Sequence, residues 1–538
     1  MKKITMIAVA ILAICLISVP AIALDVDFSG SLRLQGLYHQ HEDLRETSSS
    51  NAWFDQRFRL KTTFKVSDNL TVVTRMDALD GKKWGKNIDK DNNWDANVSL
   101  DAAYMIVKTP IGGFLAGRFP TTWDDNGFGD SQGNRERIYY VLPIGNFQAA
   151  LVYEKWQEFD SVENPITGSD TGLTQSDTDD DKYLYSVSYK TSTLKYALGG
   201  GLYRVKTFVD LGGGDDSWYQ LNTLGAYMAN GGTLNPTYGI PDNPAILGAV
   251  VPGAVANAEA NGKPVEANAW LFSPSIIGDI GPVHLDIEGV YGIGSGSYDY
   301  LNAKLTGYGL DPIDDVDVEV YCFNAEGKYT AGAFTFQAGY ATFSGDDGYG
   351  DGDDSGKVTT YGIFESGSGW QKTFLLFGEN EVNGVNHNLG GIGNLASDYM
   401  GSDGLHYSRA LVNGYQAWYA GIDYAARENL TLGFIWLTSK ADKVKDTETR
   451  TTYVPYYDAT MNGGMGGMGI VPVTIPGEKW DDDHGSEYDF TLTWDIFENL
   501  EYKFIAAYLD AGDYWKQGIE DAEVEDTYSL YNSVTLSF

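Results

Sequence analysis

Cysteine is almost absent from this chain of 538 residues: Cys15 and Cys322 are the whole complement. Cys15 lies in the N-terminal apolar segment, so a chain that loses that segment keeps one thiol and has no intramolecular disulfide. Positive charge is scarce too, with 37 Lys and Arg against 74 Asp and Glu and a formal net charge of -37. That balance argues against nucleic acid as a partner, because phosphate binding needs a net excess of basic side chains. Long apolar runs are missing beyond Ile4 to Val19. No other stretch approaches the roughly 18 apolar residues of a spanning helix. Any membrane crossing must therefore be made by strands.

Glycine and aromatic residues are plentiful: 64 Gly, 36 Tyr, 23 Phe and 13 Trp. Many turns and aromatic girdles at a membrane interface would use both. At the N-terminus, Lys2 and Lys3 precede the apolar run, and Pro20 and the small-residue site Ala21-Ile22-Ala23 follow it. This is the pattern of a secretory signal over residues 1–23, cleaved after Ala23. Losing Lys2 and Lys3 takes the formal charge from -37 to -39. Leu12-Ala13-Ile14-Cys15 is a poor lipoprotein box, since Ile14 is too large for the place before a modified Cys.

From Leu24 onward a two-residue period recurs. Val26, Phe28, Leu32, Leu34 and Tyr38 share one face, as do Phe54, Phe58, Leu60, Phe64 and Val66, with Arg57, Arg59 and Lys61 opposite. Later examples are Tyr183 to Tyr189, Phe334 to Tyr340, Tyr488 to Trp494 and Tyr528 to Phe538. Each lasts roughly ten residues, which suits a tilted strand crossing a bilayer better than a strand of a soluble sandwich.

Connections alternate between short and long. Ser67-Asp68-Asn69-Leu70, Arg427-Glu428-Asn429-Leu430 and Phe497-Glu498-Asn499-Leu500 are tight turns, with Asn at a position that tolerates left-handed backbone. The long connections are 39–52, 80–98, 119–134, 157–181, 205–267, 293–316, 344–411, 439–484 and 510–525. Nine of them imply an all-β, antiparallel transmembrane barrel of eighteen strands, within a range of sixteen to twenty. A further hairpin around Gly367 to Gly369 would give the upper value. No linker divides residues 24–538, which read as one barrel domain.

With apolar residues facing lipid, the alternate positions line the interior. The first seven strands place Arg33, Arg57, Arg59, Lys61, Arg75, Arg118, Arg135 and Arg137 there as a basic wall. Later strands place Asp286, Glu288, Asp423, Glu487, Asp489 and Asp495. Opposed charges across a constriction would orient dipolar solutes and bias ion passage.

Two features carry a family resemblance. The chain closes on Phe538 of an alternating strand, a habit of Gram-negative outer-membrane barrels, in which that residue is the signal for the barrel-insertion machinery. Gly117-Arg118-Phe119 leads into the third long connection, which holds Asp124, Asp125 and Asp130; this resembles the constriction loop of general diffusion porins. Tyr340 to Asp354 is similar to a segment of alginate-export porins, eighteen-stranded barrels for an anionic polysaccharide. The resemblance implies a cell outer-membrane location, lipid and lipopolysaccharide as surroundings, and passive passage of small hydrophilic solutes and ions; an anionic polysaccharide or oligosaccharide is the alternative cargo. Homotrimer and monomer both remain open.

Covalent chemistry is not expected. His39, His41, His387, His406 and His484 fall in loops or at strand ends, His284 lies on a strand beside Asp286, and none pairs with Ser at a sequence spacing that suggests a nucleophile. Cys322 reads as a small packed side chain. Asp346, Asp347, Asp351, Asp353 and Asp354, and likewise Asp177, Asp179, Asp180 and Asp181, match no calcium loop, since no closing bidentate Glu follows. Solvated loop charge accounts for them, and no cofactor or metal is expected.

Overall fold

The computed structural model describes residues 25–40, 44, 50–84, 98–120, 128, 134–157, 180–205, 266–297, 316–345, 372–377, 414–444, 449–458, 467–476, 479–516 and 523–538. The first strands are β1 (Asp25–His39), β2 (Asn51–Ser67), β3 (Leu70–Lys83), β4 (Val98–Thr109), β5 (Gly112–Pro120), β6 (Asn134–Ile144) and β7 (Phe147–Gln157). Next come β8 (Asp180–Lys190), β9 (Leu194–Val205), β10 (Glu266–Ile280), β11 (Val283–Ser297), β12 (Val316–Ala331), β13 (Phe334–Phe343) and β14 (Tyr415–Arg427). The last are β15 (Leu430–Lys440), β16 (Thr449–Asp458), β17 (Gly467–Pro476), β18 (Asp483–Phe497), β19 (Leu500–Ala511) and β20 (Thr527–Ser537).

Eighteen of these form one antiparallel sheet in which each strand pairs with its neighbours and β20 returns to β1. The sheet is therefore a closed barrel with no free edge, the only form in which strands satisfy their backbone inside a bilayer. β16 and β17 pair only with each other. The expected strand number holds, while the additional hairpin lies in the connection after β15; the segment around Gly367 lies outside the described residues.

Alternation decides which way each strand faces. On the outer face Phe28 is 64% exposed and Leu151 60%, whereas inward Ser529 is fully covered. A continuous belt of exposed Phe, Tyr, Trp, Leu and Ile has no place in water at this extent. Against hydrocarbon it is the favourable arrangement, and it marks the barrel as transmembrane.

The tight turns gather at one end. Asn69 donates its backbone N–H to Ser67 Oγ (3.3 Å), and its carbonyl accepts from Lys108 N (2.9 Å). Asn429 and Asp495 exchange a pair of bonds in the same fashion, 2.9 Å from Asn429 Nδ2 and 3.0 Å to its carbonyl. Each Asn thus ties its own turn to the next hairpin. A turn that the sequence pattern did not expose joins β8 to β9, where Thr191 Oγ1 accepts from Leu194 N (2.8 Å).

The seam is held at its base by Gly30 and Phe538, which exchange backbone bonds of 2.8 and 3.0 Å. The Phe538 ring stacks on Phe58, centroids 6.2 Å apart. A Cβ at Gly30 would lie 2.8 Å from that ring and 2.2 Å from the Arg59 carbonyl oxygen, so only glycine fits.

Candidate functional site

The inner face of β1 to β6 carries the basic residues that the alternation placed there, with one exception. Arg33 and Arg57 are direct partners across β1 and β2, and Lys61 faces Arg75 across β2 and β3. Arg135 and Arg137 share the inner face of β6 with Phe119 of β5 as neighbour. Arg118 is a correction. It pairs in register with Glu136, on the same face as exposed Ile138, and therefore lies outside the barrel. Its guanidinium bonds Glu136 at 2.7 Å.

Acidic partners are interleaved with this wall. Arg59 grips Asp77 through the Nε–Nη2 edge of its guanidinium, at 2.6 to 3.1 Å. Arg75 pairs with Asp101, and Arg137 with Glu154. Lys182 approaches the same Glu154 at 3.7 Å. Buried charges of one sign require such neutralisation, since desolvating an isolated ion costs several kcal/mol, about the size of a whole domain's stability. The basic surface is therefore a mixed ladder, less positive than its arginines alone suggest.

The predicted acidic residues do lie on the inner face, but several hold loops and do not border open water. Glu288 on β11 accepts the backbone N–H of Phe128 at 2.9 Å. Phe128 is itself buried against the inner face; Asp124, Asp125 and Asp130 of the same connection lie outside the described residues. Glu487 accepts from Leu375 N (2.5 Å) and Leu376 N (2.7 Å), and Asp489 from Phe374 N (2.8 Å). Both carboxylates are covered, and their expected role as a lumen-facing charge is corrected accordingly. Asp286 faces inward beside Glu326, Asp423 lies opposite Thr335, and Asp495 lies opposite Glu501.

The segment Lys372 to Phe377 is thus an inward turn, closed by a 3.2 Å bond from Lys372 N to the Phe377 carbonyl. Lys372 Nζ reaches Glu326 on β12 at 2.6 Å, and Glu326 also accepts from Tyr419 Oη (2.8 Å) and binds Lys328 (2.8 Å). A Cβ at Gly339 would fall 2.3 Å from Tyr419 Oη, so that glycine makes room for the phenol. Around the turn, Phe374 lies against His39 and Tyr531, and Phe377 against Tyr415. Leu37, Ile435, Leu437, Ile505 and Leu509 form the apolar seat beneath. An inner face read as uniformly polar is here apolar, because it packs protein on this arc.

Two Ser–His pairs also correct the sequence reading. Ser529 bonds His39 across the seam, and Ser439 Oγ lies 2.8 Å from His484 Nδ1. Cross-strand pairing joins residues 490 and 45 positions apart, which no sequence spacing reveals. Both pairs are buried in aromatic surroundings: His39 beside Trp53, and His484 against Tyr514 and Trp515. Trp515 Nε1 further donates to the His484 carbonyl at 2.8 Å. These contacts join neighbouring strand ends within a covered aromatic cluster. Cys322 is buried in the same cluster. Asp181, one of the clustered loop acids, accepts from Tyr153 Oη at 2.8 Å.

No protein-family model and no curated protein matches the chain. Among solved structures it is similar to OccK8 (OprE) of Pseudomonas aeruginosa, at 12% identity and TM-score 0.44, over 96% of this chain and 98% of that one. OpdQ of the same organism gives 10% identity and TM-score 0.45, over 96% and 99%. The outer-membrane protein OmpT of Vibrio cholerae, in its trimer form, gives 13% and 0.37, over 96% and 100%. The closed eighteen-stranded barrel, with its apolar outer belt and charged interior, has the architecture of a transmembrane β-barrel.

Proposed function

We propose that the protein is a channel through which small hydrophilic solutes and ions diffuse passively between environment and periplasm. The observation that carries this reading is the division of the inner face. Basic residues interleaved with acids line β1 to β6, and β11, halfway round the ring from β2, carries Asp286, while Glu288 on the same strand is engaged by the Phe128 amide. A barrel of this strand number encloses an aqueous passage, and its opposed charges make that passage sensitive to ion sign. The pairing of Arg59, Arg75 and Arg137 with carboxylates favours small ions and zwitterionic solutes over a polyanion. An anionic polysaccharide is the second cargo considered. Residues 1–23 would be removed on export, with the mature barrel in the outer membrane as a monomer or homotrimer.

Planar-bilayer recording tests the proposal. The purified protein should give stepwise conductance, and Arg57→Glu with Arg59→Glu should move the reversal potential in a salt gradient toward cations. Absence of current sinks the channel reading, and an unmoved reversal potential removes the basic wall as its selectivity element. Block by an oligouronate, without passage of smaller anions, would favour the polysaccharide cargo.

A further inference from the structure

Outside the barrel, one row of side chains stands apart from the apolar belt. Arg118 on β5 pairs in register with Glu136 on β6, Glu136 with Lys155 on β7, Lys155 with Asp181 on β8, and Asp181 with Arg204 on β9. All five occupy outward positions. Each lies within two residues of the end of its strand that leads into a long connection. The next outward row toward the tight turns is Ala116, Ile138, Tyr153, Tyr183 and Leu202, followed on β10 by Trp270. Charges therefore sit directly on an aromatic and aliphatic band, which is the order of groups met on moving from hydrocarbon into a headgroup layer. The wall is also low here, since β5 with 9 residues is the shortest strand of the barrel.

Cations alternate with carboxylates along the row, two strands or roughly 10 Å apart. The carboxylates hold them extended: Arg118 bonds Glu136 at 2.7 Å, and Lys155 approaches Asp181 at 3.7 Å. The outer rim of β18 to β20 is different in sign, with Asp483, Asp510 and Asp526. Basic groups alternate with acids on the outer rim of β5 to β9, whereas on β15 the outward Lys440 stands alone beside Asp482 at 3.7 Å.

We propose that Arg118, Lys155 and Arg204 form a docking band for the phosphorylated headgroup of an anionic lipid in the outer leaflet. Guanidinium and ammonium groups at this level bind phosphate oxygens through charge-assisted hydrogen bonds. Tyr153, Tyr183 and Trp270 beneath them pack against the first methylenes of the acyl chains. The inference rests on the outer-membrane reading but not on what the lumen transports.

The test uses full-length protein in phosphatidylcholine bicelles, with lipid A as the probe, and counts retained lipid by native mass spectrometry. The parent should hold lipid A selectively. Arg118→Ser, Lys155→Ser and Arg204→Ser together should weaken that retention by about tenfold, and raised salt should act in the same direction. Arg118→Lys with Lys155→Arg should restore most of it. Planar-bilayer conductance of each variant, unchanged because the row lies outside the lumen, shows that the barrel has folded and separates failure here from failure of the channel reading. Equal retention by parent and triple variant overturns the proposal, as does equal retention of phosphatidylethanolamine. Loss of an oligomer with lipid A retention intact would assign this face to a second copy of the chain, and would overturn it too.

Discussion

At the residue scale, facing follows from parity only where the two faces of a strand differ. β2 is unambiguous, because Phe54, Phe58 and Leu60 alternate with Arg57, Arg59 and Lys61, and the structure keeps that assignment. β5 is not. Gly113, Leu115, Gly117 and Phe119 face inward while Phe114, Ala116 and Arg118 face outward, and both sets are apolar or small up to the final Arg. Nothing in that alternation told Arg118 which side it served. The role of Glu487 was also hidden, since its partners are backbone amides of a segment 111 residues away. Removing it leaves two buried N–H groups without their acceptor, at a cost of roughly 1–3 kcal/mol each. Glu487→Ala should therefore let the inward turn detach part of the time, seen as a second, higher current level in single-channel records. Glu487→Gln, which keeps one acceptor oxygen, should show it less often. A single level identical to the parent in both would mean the turn is held by its apolar seat alone.

At the scale of elements, hairpins and their turns were readable because local chemistry sets them. Asn69, Asn429 and Asn499 mark turns whose hydrogen bonds the structure displays. What a long connection does once it leaves the rim depends on non-local partners. Lys372 to Phe377 reads in sequence as one stretch of a polar loop, yet Phe374, Leu375, Leu376 and Phe377 pack on an inner face made apolar to receive them. Burial of four such side chains offsets much of the entropy lost in ordering six residues, and the bonds to Glu326, Glu487 and Asp489 add the remaining hold. Replacing Thr373 to Leu376 with Gly and Ser should widen the passage without unfolding the wall. The expected result is higher conductance and looser size exclusion for neutral sugars in liposome swelling. Unchanged swelling rates would show that the turn lies off the path that solutes take.

At the scale of the whole molecule, eighteen strands follow from the count of long connections, and closure from the absence of any strand that could serve as an edge. The seam is the part with most at stake. Nine residue pairs join β1 to β20, and Phe538 adds its stacked ring to Phe58 at the base. Phe538→Ala removes an aromatic pair worth about 1 kcal/mol beyond its area. It should lower the temperature at which the folded, fast-migrating band converts to the unfolded one on a gel. Conversion at the parental temperature would mean the backbone ladder alone keeps the barrel shut.

That same ladder has a kinetic consequence. Tyr531 and Gln35, bonded across it, are 496 positions apart, so the final zipper joins parts of the chain that are made far apart in time. Until they meet, both outermost strands offer unsatisfied N–H and C=O groups to any other extended polypeptide nearby. Such remote pairing is slow. The nascent polypeptide must therefore be kept from its neighbours until its two extremities have found each other, and a half-assembled sheet is the state most exposed to aggregation and proteolysis.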